Sequence, residues 1–340
     1  MLIKLTTLVF FQLLFTICIL FISKRYKFLD YPSDRKKHLF PVPYTGGIVI
    51  SFNYLFIVFI FDFESIYFNL ILTYSLLICL AGFLDDKLQL NPITKLILQV
   101  FPIIYLIEQD IFLTNLGSYH NFGILELGTL AKLFTLFSCL FLVNAFNYSD
   151  GLDGLLGSIS IIIIASFFIF LLYYKSIINL DFLTILIPIF LFLFFNLTNN
   201  KSFKLFLGDS GSNLLGFIIS FISILLYLEF DLHPAIIVWP LAYIVYEFLT
   251  VNILRIIRSK KIFQPSNDHF HYELGKFLKL NNYIVVTIII FINIFFASFG
   301  IMVKFFLSYE ISLLLFVLLF LIYFAIRLKI QKKLINHRLL

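Results

Sequence analysis

Charge is scarce in this chain. Asp, Glu, Lys and Arg together make up 13% of its 340 residues, about half the share usual in soluble domains. With 61% hydrophobic residues and a mean hydropathy of +1.02, the composition excludes a soluble protein or a soluble domain on one anchor. Cysteine is as sparse: Cys18, Cys79 and Cys139 are the three, and all lie inside apolar runs. They read as small buried hydrophobes, not as a disulfide framework or a metal set. The phosphate-loop string G-x-x-x-x-G-K-[ST] is missing, and so is the zinc-protease string H-E-x-x-H. No soluble domain, linker, low-complexity tail or internal repeat interrupts the chain, so residues 1–340 read as one membrane-embedded unit. The first twenty-odd residues carry only Lys4 ahead of their apolar run and no small-residue cleavage site. They read as a retained span, not a signal peptide.

What is present is a succession of apolar runs. A spanning helix needs roughly 20 apolar residues. Eleven stretches approach that length: 2–22, 46–62, 66–84, 92–108, 129–147, 155–174, 182–198, 212–228, 234–254, 283–303 and 310–327. The predicted fold is all-α, a polytopic bundle of about ten or eleven membrane helices. Lys and Arg set its orientation. Loops 23–45, 85–95, 199–209 and 255–282, with the tail from 327 on, hold 21 of the 25 basic residues. The opposite ends hold only Lys4, Lys132, Lys175 and Lys304. The basic loops are expected in the cytoplasm, which puts the N-terminus outside and the C-terminus inside. The net charge of +6 reports that asymmetry first and anionic ligands second, and no nucleic-acid partner is expected. The expected location is a bacterial inner membrane.

Every motif-like polar island falls on the expected cytoplasmic side. Phe206-Leu207-Gly208-Asp209-Ser210-Gly211-Ser212 sits between two apolar runs. A carboxylate beside glycines and hydroxyls suits a divalent cation and a phosphate. Gly82-Phe83-Leu84-Asp85-Asp86-Lys87 ends the third run. Adjacent acids do not share a helix face, so one is expected to meet substrate and the other to orient a neighbour. Lys95 follows, either snorkelling to the interface or pointing into the same cleft. In Asn144-Ala-Phe-Asn147-Tyr-Ser-Asp150-Gly-Leu-Asp153-Gly154, four polar residues three apart would line one side of a helix. Gly151 and Gly154 predict that its end opens into a loop. A stripe of that kind at a span end is hard to explain as packing.

Two basic loops complete the set. The first runs Asp30-Tyr-Pro-Ser-Asp-Arg35-Lys36-Lys37-His38 and is followed by Gly46-Gly47. It suits either an anchor on anionic lipid or a cation cluster for a lipid phosphate or nucleotide. The last holds Arg255, Arg258, Lys260, Lys261, Asp268, His269 and His271. Its histidines have no nearby partners for a metal, so hydrogen bonds to phosphate or sugar oxygens fit better. Glu247, an acid inside a span, is a functional candidate by default, and a hydrogen-bonded structural role is equally open. His120, His233 and His337 are isolated and read as structural or solvated, and the outer loop from Glu108 to Gly128 shows no chemistry.

In order and spacing these islands resemble the polyprenyl-phosphate N-acetylhexosamine-1-phosphate transferases. Five motifs carry the resemblance over most of the chain: the R-K-x-H loop with its later G-G, the D-D pair, N-x-x-N-x-x-D-G-x-D-G, G-D-x-G-S, and the late H-x-H loop. Each motif alone is moderately specific; the ordered set is far more so. The resemblance implies transfer of a sugar 1-phosphate from a UDP-sugar to polyprenyl phosphate, releasing UMP, in a cleft open to the cytoplasm. It implies Mg²⁺, with Mn²⁺ as a substitute, on Asn147 and Asp209. Asp85 and Asp86 match the catalytic acidic pair, and Lys95 matches a basic residue near the phosphates. Asp153 matches the uracil-recognising position, with Asn144, Asp150 and Arg255 in the nucleotide and sugar set. His269 and His271 match the loop that closes over the sugar. Arg35, Lys36 and His38 would meet the lipid phosphate. A homodimer is compatible with it.

The late loop departs from the family pattern. It reads Pro265-Ser266-Asn267-Asp268-His269-Phe270-His271-Tyr272, with Ser and Tyr where the O-antigen and teichoic-acid initiators often carry an acid and a further histidine. The triple histidine of the peptidoglycan translocases is absent, which argues against that branch. Two other classes stay open: a transporter, which would set its acids near the midplane on broken helices, and a scaffold without catalysis, which would have lost Asp85 or Asp209.

Overall fold

The computed structural model describes residues 2–32, 38–61, 63–260 and 268–336. Arg35 and Lys36, expected at the lipid phosphate, lie outside the described residues. Every predicted apolar run forms a helix. They are α1 (Leu2–Arg25), α2 (Gly46–Ile60), α3 (Ile66–Leu88), α4 (Pro92–Glu108), α5 (Ala131–Ser149), α6 (Leu155–Phe170), α7 (Asp181–Leu197), α8 (Gly208–Leu228) and α9 (Pro234–Ile257). The short α10 (Phe270–Leu278) follows, then α11 (Asn282–Phe306) and α12 (Tyr309–Asn336). Among the described residues, eight helices are long and apolar enough to cross a membrane, and α2 and α7 are shorter apolar helices.

Local chemistry explains where the helices begin. Ser65, Asn91 and Asn281 accept the backbone N–H three residues on, at 3.1, 2.9 and 2.9 Å, and so cap α3, α4 and α11. Pro92 and Pro234 sit in the first turns of α4 and α9, where a missing N–H costs nothing. Long-range amide bonds tie helices together inside the bundle. Gln12 of α1 donates to the Pro188 carbonyl of α7 at 2.9 Å, and Asn293 of α11 to that of Pro240 in α9 at 3.0 Å. Trp239 donates to Ser312 at 2.9 Å.

Helix α8 is the axis of the fold, with 83% of its apolar window buried against 17% for α12. It packs against α2, α3 and α5. Two crossings are close enough to demand glycine. A side chain at Gly82 of α3 would meet the Asp209 carbonyl at 2.4 Å, and one at Gly47 of α2 would meet the Gly211 nitrogen at 2.2 Å. Gly208 opens α8 with φ +73°, a left-handed conformation that favours glycine.

Two small hairpins complete the fold. Strands β1 (Leu29–Asp30) and β2 (Val42–Pro43) pair antiparallel beside α8, where Phe206 donates its N–H to the Pro43 carbonyl at 2.8 Å. At the opposite end of the bundle, β3 (Asn115–Tyr119) and β4 (Gly123–Glu126) form a second antiparallel pair. That pair lies in the stretch read above as a plain loop. His233, read as structural, caps α9, stacks on Tyr309 at 3.8 Å and lies within hydrogen-bonding distance of the Ser118 carbonyl at 3.1 Å.

Candidate active site

The GDSGS stretch is not a loop. It forms the first turn of α8, four residues earlier than the apolar run begins. The reason lies in α3. Asp86 accepts the backbone N–H of Asp209 at 3.1 Å and of Ser210 at 3.2 Å. A carboxylate on the free N–H groups of a helix start is favoured by the hydrogen bonds and by the helix dipole. Asp86 therefore anchors α8 from a neighbouring helix, while Leu207, at the cap position itself, offers no side-chain bond.

Asp85 points elsewhere. Its Oδ1 accepts the Leu90 N–H at 3.0 Å, and its Oδ2 lies 2.7 Å from the Lys95 ammonium. Lys95 does not snorkel: it reaches Asp209 Oδ2 at 2.6 Å and Asn147 Oδ1 at 3.5 Å. Three oxygens from α3, α5 and α8 thus converge on one cation carried by α4. Asn147 is held by its own donation to Ser212 at 2.9 Å. Among the described residues no group of three His, Cys, Asp or Glu gathers as a metal cluster. The donor set is instead two carboxylates and an amide oxygen, hard ligands of the kind Mg²⁺ prefers. The residues present therefore fit a divalent cation at the point where Lys95 now neutralises them.

One turn deeper lies a ladder that was not read from the sequence. Asn144 donates to Gln99 Oε1 at 3.0 Å, and Gln99 donates to Asn213 Oδ1 at 3.3 Å. Gln99 is four residues beyond Lys95, so this amide chain fixes the face of α4 that aims Lys95. The available signal was a lone amide inside an apolar run, which must find an interior partner.

Only Asn144 and Asn147 of the predicted stripe are helical. The chain leaves α5 at Ser149, and Gly154 has φ +77°. Asp150 lies in the resulting loop, where burial, reinforced by Asp209 and Asp153, pushes its carboxyl up to about 8. Asp153 faces away toward Lys204 at 2.7 Å. Lys204 also donates to the Asn196 carbonyl at 2.5 Å, and Asn196 accepts the Gly154 N–H at 2.6 Å. Lys204 was counted above as a loop charge; it is buried.

The late loop closes the other flank. His269 and His271 stack with ring centroids 5.5 Å apart at the start of α10. His271 is buried with no hydrogen-bond partner for either ring nitrogen among the described residues, and burial lowers its pKa to about 3. It abuts Gly151, where a side chain would come within 2.1 Å of its Nε2. Tyr272 donates to the Gly151 carbonyl at 3.0 Å. Arg255 donates to Tyr148 at 3.2 Å, and the Tyr148 ring meets His269 edge-on at 5.4 Å. His38 donates from Nδ1 to the Phe40 carbonyl at 2.7 Å and packs edge-on against Phe206, two residues before Gly208.

Comparison with known proteins bears on this arrangement. The model of glycosyl transferase family 4 matches residues 68–227, which carry the acidic pair, the asparagine stripe and the GDSGS turn. The chain is 27% identical over 303 residues to an undecaprenyl-phosphate alpha-N-acetylglucosaminyl 1-phosphate transferase of Yersinia pestis, covering 84% of this chain and 82% of that protein. It is 29% identical over 283 residues to a probable undecaprenyl-phosphate N-acetylglucosaminyl 1-phosphate transferase of Bacillus subtilis, covering 81% and 77%. Over residues 68–227 this chain is similar to glycosyl transferase family 4. The match spans α3 through α8, the helices that build the Lys95 centre. The late loop and α12 lie outside it.

Proposed function

We propose that this chain transfers an N-acetylhexosamine 1-phosphate, with N-acetylglucosamine favoured, from its UDP-sugar to undecaprenyl phosphate and releases UMP. The observation that carries the reading is the convergence of Asp85, Asp209 and Asn147 on Lys95, within a chain whose relatives bear that activity in their names. An oxygen of the lipid phosphate attacks the β-phosphorus of the donor. The bond from that phosphorus to the UMP oxygen breaks, and one phosphoanhydride replaces another. Such transfers depend mostly on alignment and on neutralising charge.

The chain's own groups divide this work. Lys95 presents a cation to the phosphates, and Asp85 sets the ammonium's position and meets the attacking phosphate. Asp86 holds the turn that carries Asp209. Asp153, with one oxygen on Lys204, retains another that can accept a base N–H. His269, Arg255 and Tyr148 flank the sugar phosphate. Asp209 and Asn147 would hold Mg²⁺, which supplies charge neutralisation and clamps the pyrophosphate when bound.

The acids support transfer over transport. They gather at one end of the bundle, at the C-terminus of α3 and the N-terminus of α8, and not at mid-helix. That end carries the basic loops, which supports the reading of a cytoplasmic site with the N-terminus outside, in a protein we assign to a bacterial inner membrane. The test is UMP release by purified protein given undecaprenyl phosphate, Mg²⁺ and a panel of UDP-sugars. Release that needs the lipid, the metal and Asp209 is expected. No release from any sugar, by folded protein with intact lipid, would refute the assignment.

A further inference from the structure

Arg327 is a fully buried cation in α12, the most peripheral of the long apolar helices. A guanidinium inside a membrane bundle is costly unless it is paired. Its pairing is directed almost wholly at one turn of chain. Nη1 lies 2.7 Å from Glu273 Oε2, and Nη2 donates to the Asp268 carbonyl at 2.8 Å. The guanidinium also lies over the Phe270 ring at 5.3 Å. Gln331, one turn further along α12, donates to Glu273 Oε1 at 2.6 Å.

Glu247 of α9 holds the same turn from the other side. Its Oε1 accepts the Phe270 N–H at 2.8 Å, lies 3.7 Å from His269 Nδ1, and is 3.7 Å from Arg327. Its Oε2 accepts the Tyr323 hydroxyl at 2.8 Å. Residues 268, 269, 270 and 273 are each gripped by α9 or α12. The opposite side of the turn places His269 against Tyr148, and His271 and Tyr272 against Gly151.

We propose that Arg327 is a positioning residue for the transfer, fixing the 268–273 main chain so that His269 is presented to the donor beside Tyr148. This rests on the reading that His269 meets the sugar phosphate. The guanidinium suits the task because its fork reaches a carboxylate and a carbonyl at once. Without it, Glu247 and Glu273 lose the guanidinium they share, and the turn is expected to shift away from α12.

A double-mutant cycle tests this on the full chain in detergent, with UMP release from UDP-N-acetylglucosamine as readout. Arg327→Met is expected to lower kcat at least about tenfold while KM for the nucleotide sugar changes less than about threefold. His269→Ala is expected to lower kcat as well. In the His269→Ala background, Arg327→Met should cost less than about twofold, because one variant has already removed what the other positions. Arg327→Lys, which keeps the charge without the fork, should show a partial loss with the same dependence on His269. It carries the cycle if Arg327→Met does not fold. A loss of the same size with and without His269 would overturn the proposal and make Arg327 a structural pin. Full kcat in His269→Ala would overturn it by removing the histidine's role. Both outcomes differ from absence of UMP release by the wild-type chain, which would instead refute the transferase assignment.

Discussion

Asp86→Ala separates anchoring from chemistry in the acidic pair. The substitution leaves the Asp209 and Ser210 N–H groups, at 3.1 and 3.2 Å from the lost carboxylate, without their acceptor. A hydrogen bond to a charged group contributes about 1.5–3 kcal/mol, and loss of a helix cap costs about 0.5–2 kcal/mol. Water at the bundle end recovers part of this, so the net cost should be roughly 2–3 kcal/mol. Asp86→Asn keeps one acceptor and should cost about 1 kcal/mol. In a thermal-unfolding assay in detergent, 1 kcal/mol corresponds to about 2 °C for a chain of this size. Asp86→Ala should therefore fall by roughly 5 °C and Asp86→Asn by about 2 °C. Asp85→Asn should move the midpoint less than Asp86→Ala yet lose UMP release more completely, since an amide still accepts the Leu90 N–H but no longer pairs with Lys95. An unchanged midpoint in Asp86→Ala, with activity lost, would refute the anchoring argument and return Asp86 to the chemistry.

Three further outcomes follow from the same geometry. Asp150 is neutral up to about pH 8 in the folded protein and near 4 when unfolded, so its stabilising contribution is full below about 4 and is lost as pH rises through 8. Thermal midpoints of the wild type should fall between about pH 4 and 8 and level off above that, and Asp150→Asn should flatten that slope. Lys204→Met strips Asp153 of its ion pair and should raise KM for the UDP-sugar about tenfold with a smaller effect on kcat, as read from UMP-release kinetics. Gly82→Ala drives a methyl to 2.4 Å from the Asp209 carbonyl, so the first turn of α8 must shift, and UMP release should fall at least about tenfold.

The helices were legible because their signal is additive. A run of apolar residues long enough to cross a bilayer has few alternatives, and all eleven runs became helices. Boundaries set by distant residues were not legible. The apolar run starts at 212, whereas the helix begins at Gly208 because Asp86 of α3 receives its first amides. The end of α5 was legible, because glycines at 151 and 154 act locally. Helix α10 was not. Its nine residues are too few to be stable alone, and it is held by contacts to α9 and α12.

The site shows the same division. Asp85, Asn147 and Asp209 stood out as islands, but their meeting at Lys95 depends on how four helices cross. The sharpest failure concerns the basic residues. Counting Lys and Arg treats each as solvated, yet Lys95, Lys204, Arg255 and Arg327 are buried or nearly so. The orientation argument survives their removal, because the basic loops still outnumber the four lysines opposite. What changes is the meaning of these four. Each is paired with a carboxylate or hydroxyl of another element. In a chain this poor in charge, a buried cation must be matched by a partner, and here each match joins the elements that carry a site motif. Lys95 joins the acidic pair to the GDSGS turn, Lys204 fixes Asp153, Arg255 fixes Tyr148 and Arg327 fixes the histidine turn. The few charges that escape the surface therefore mark out the machinery more sharply than the motifs do.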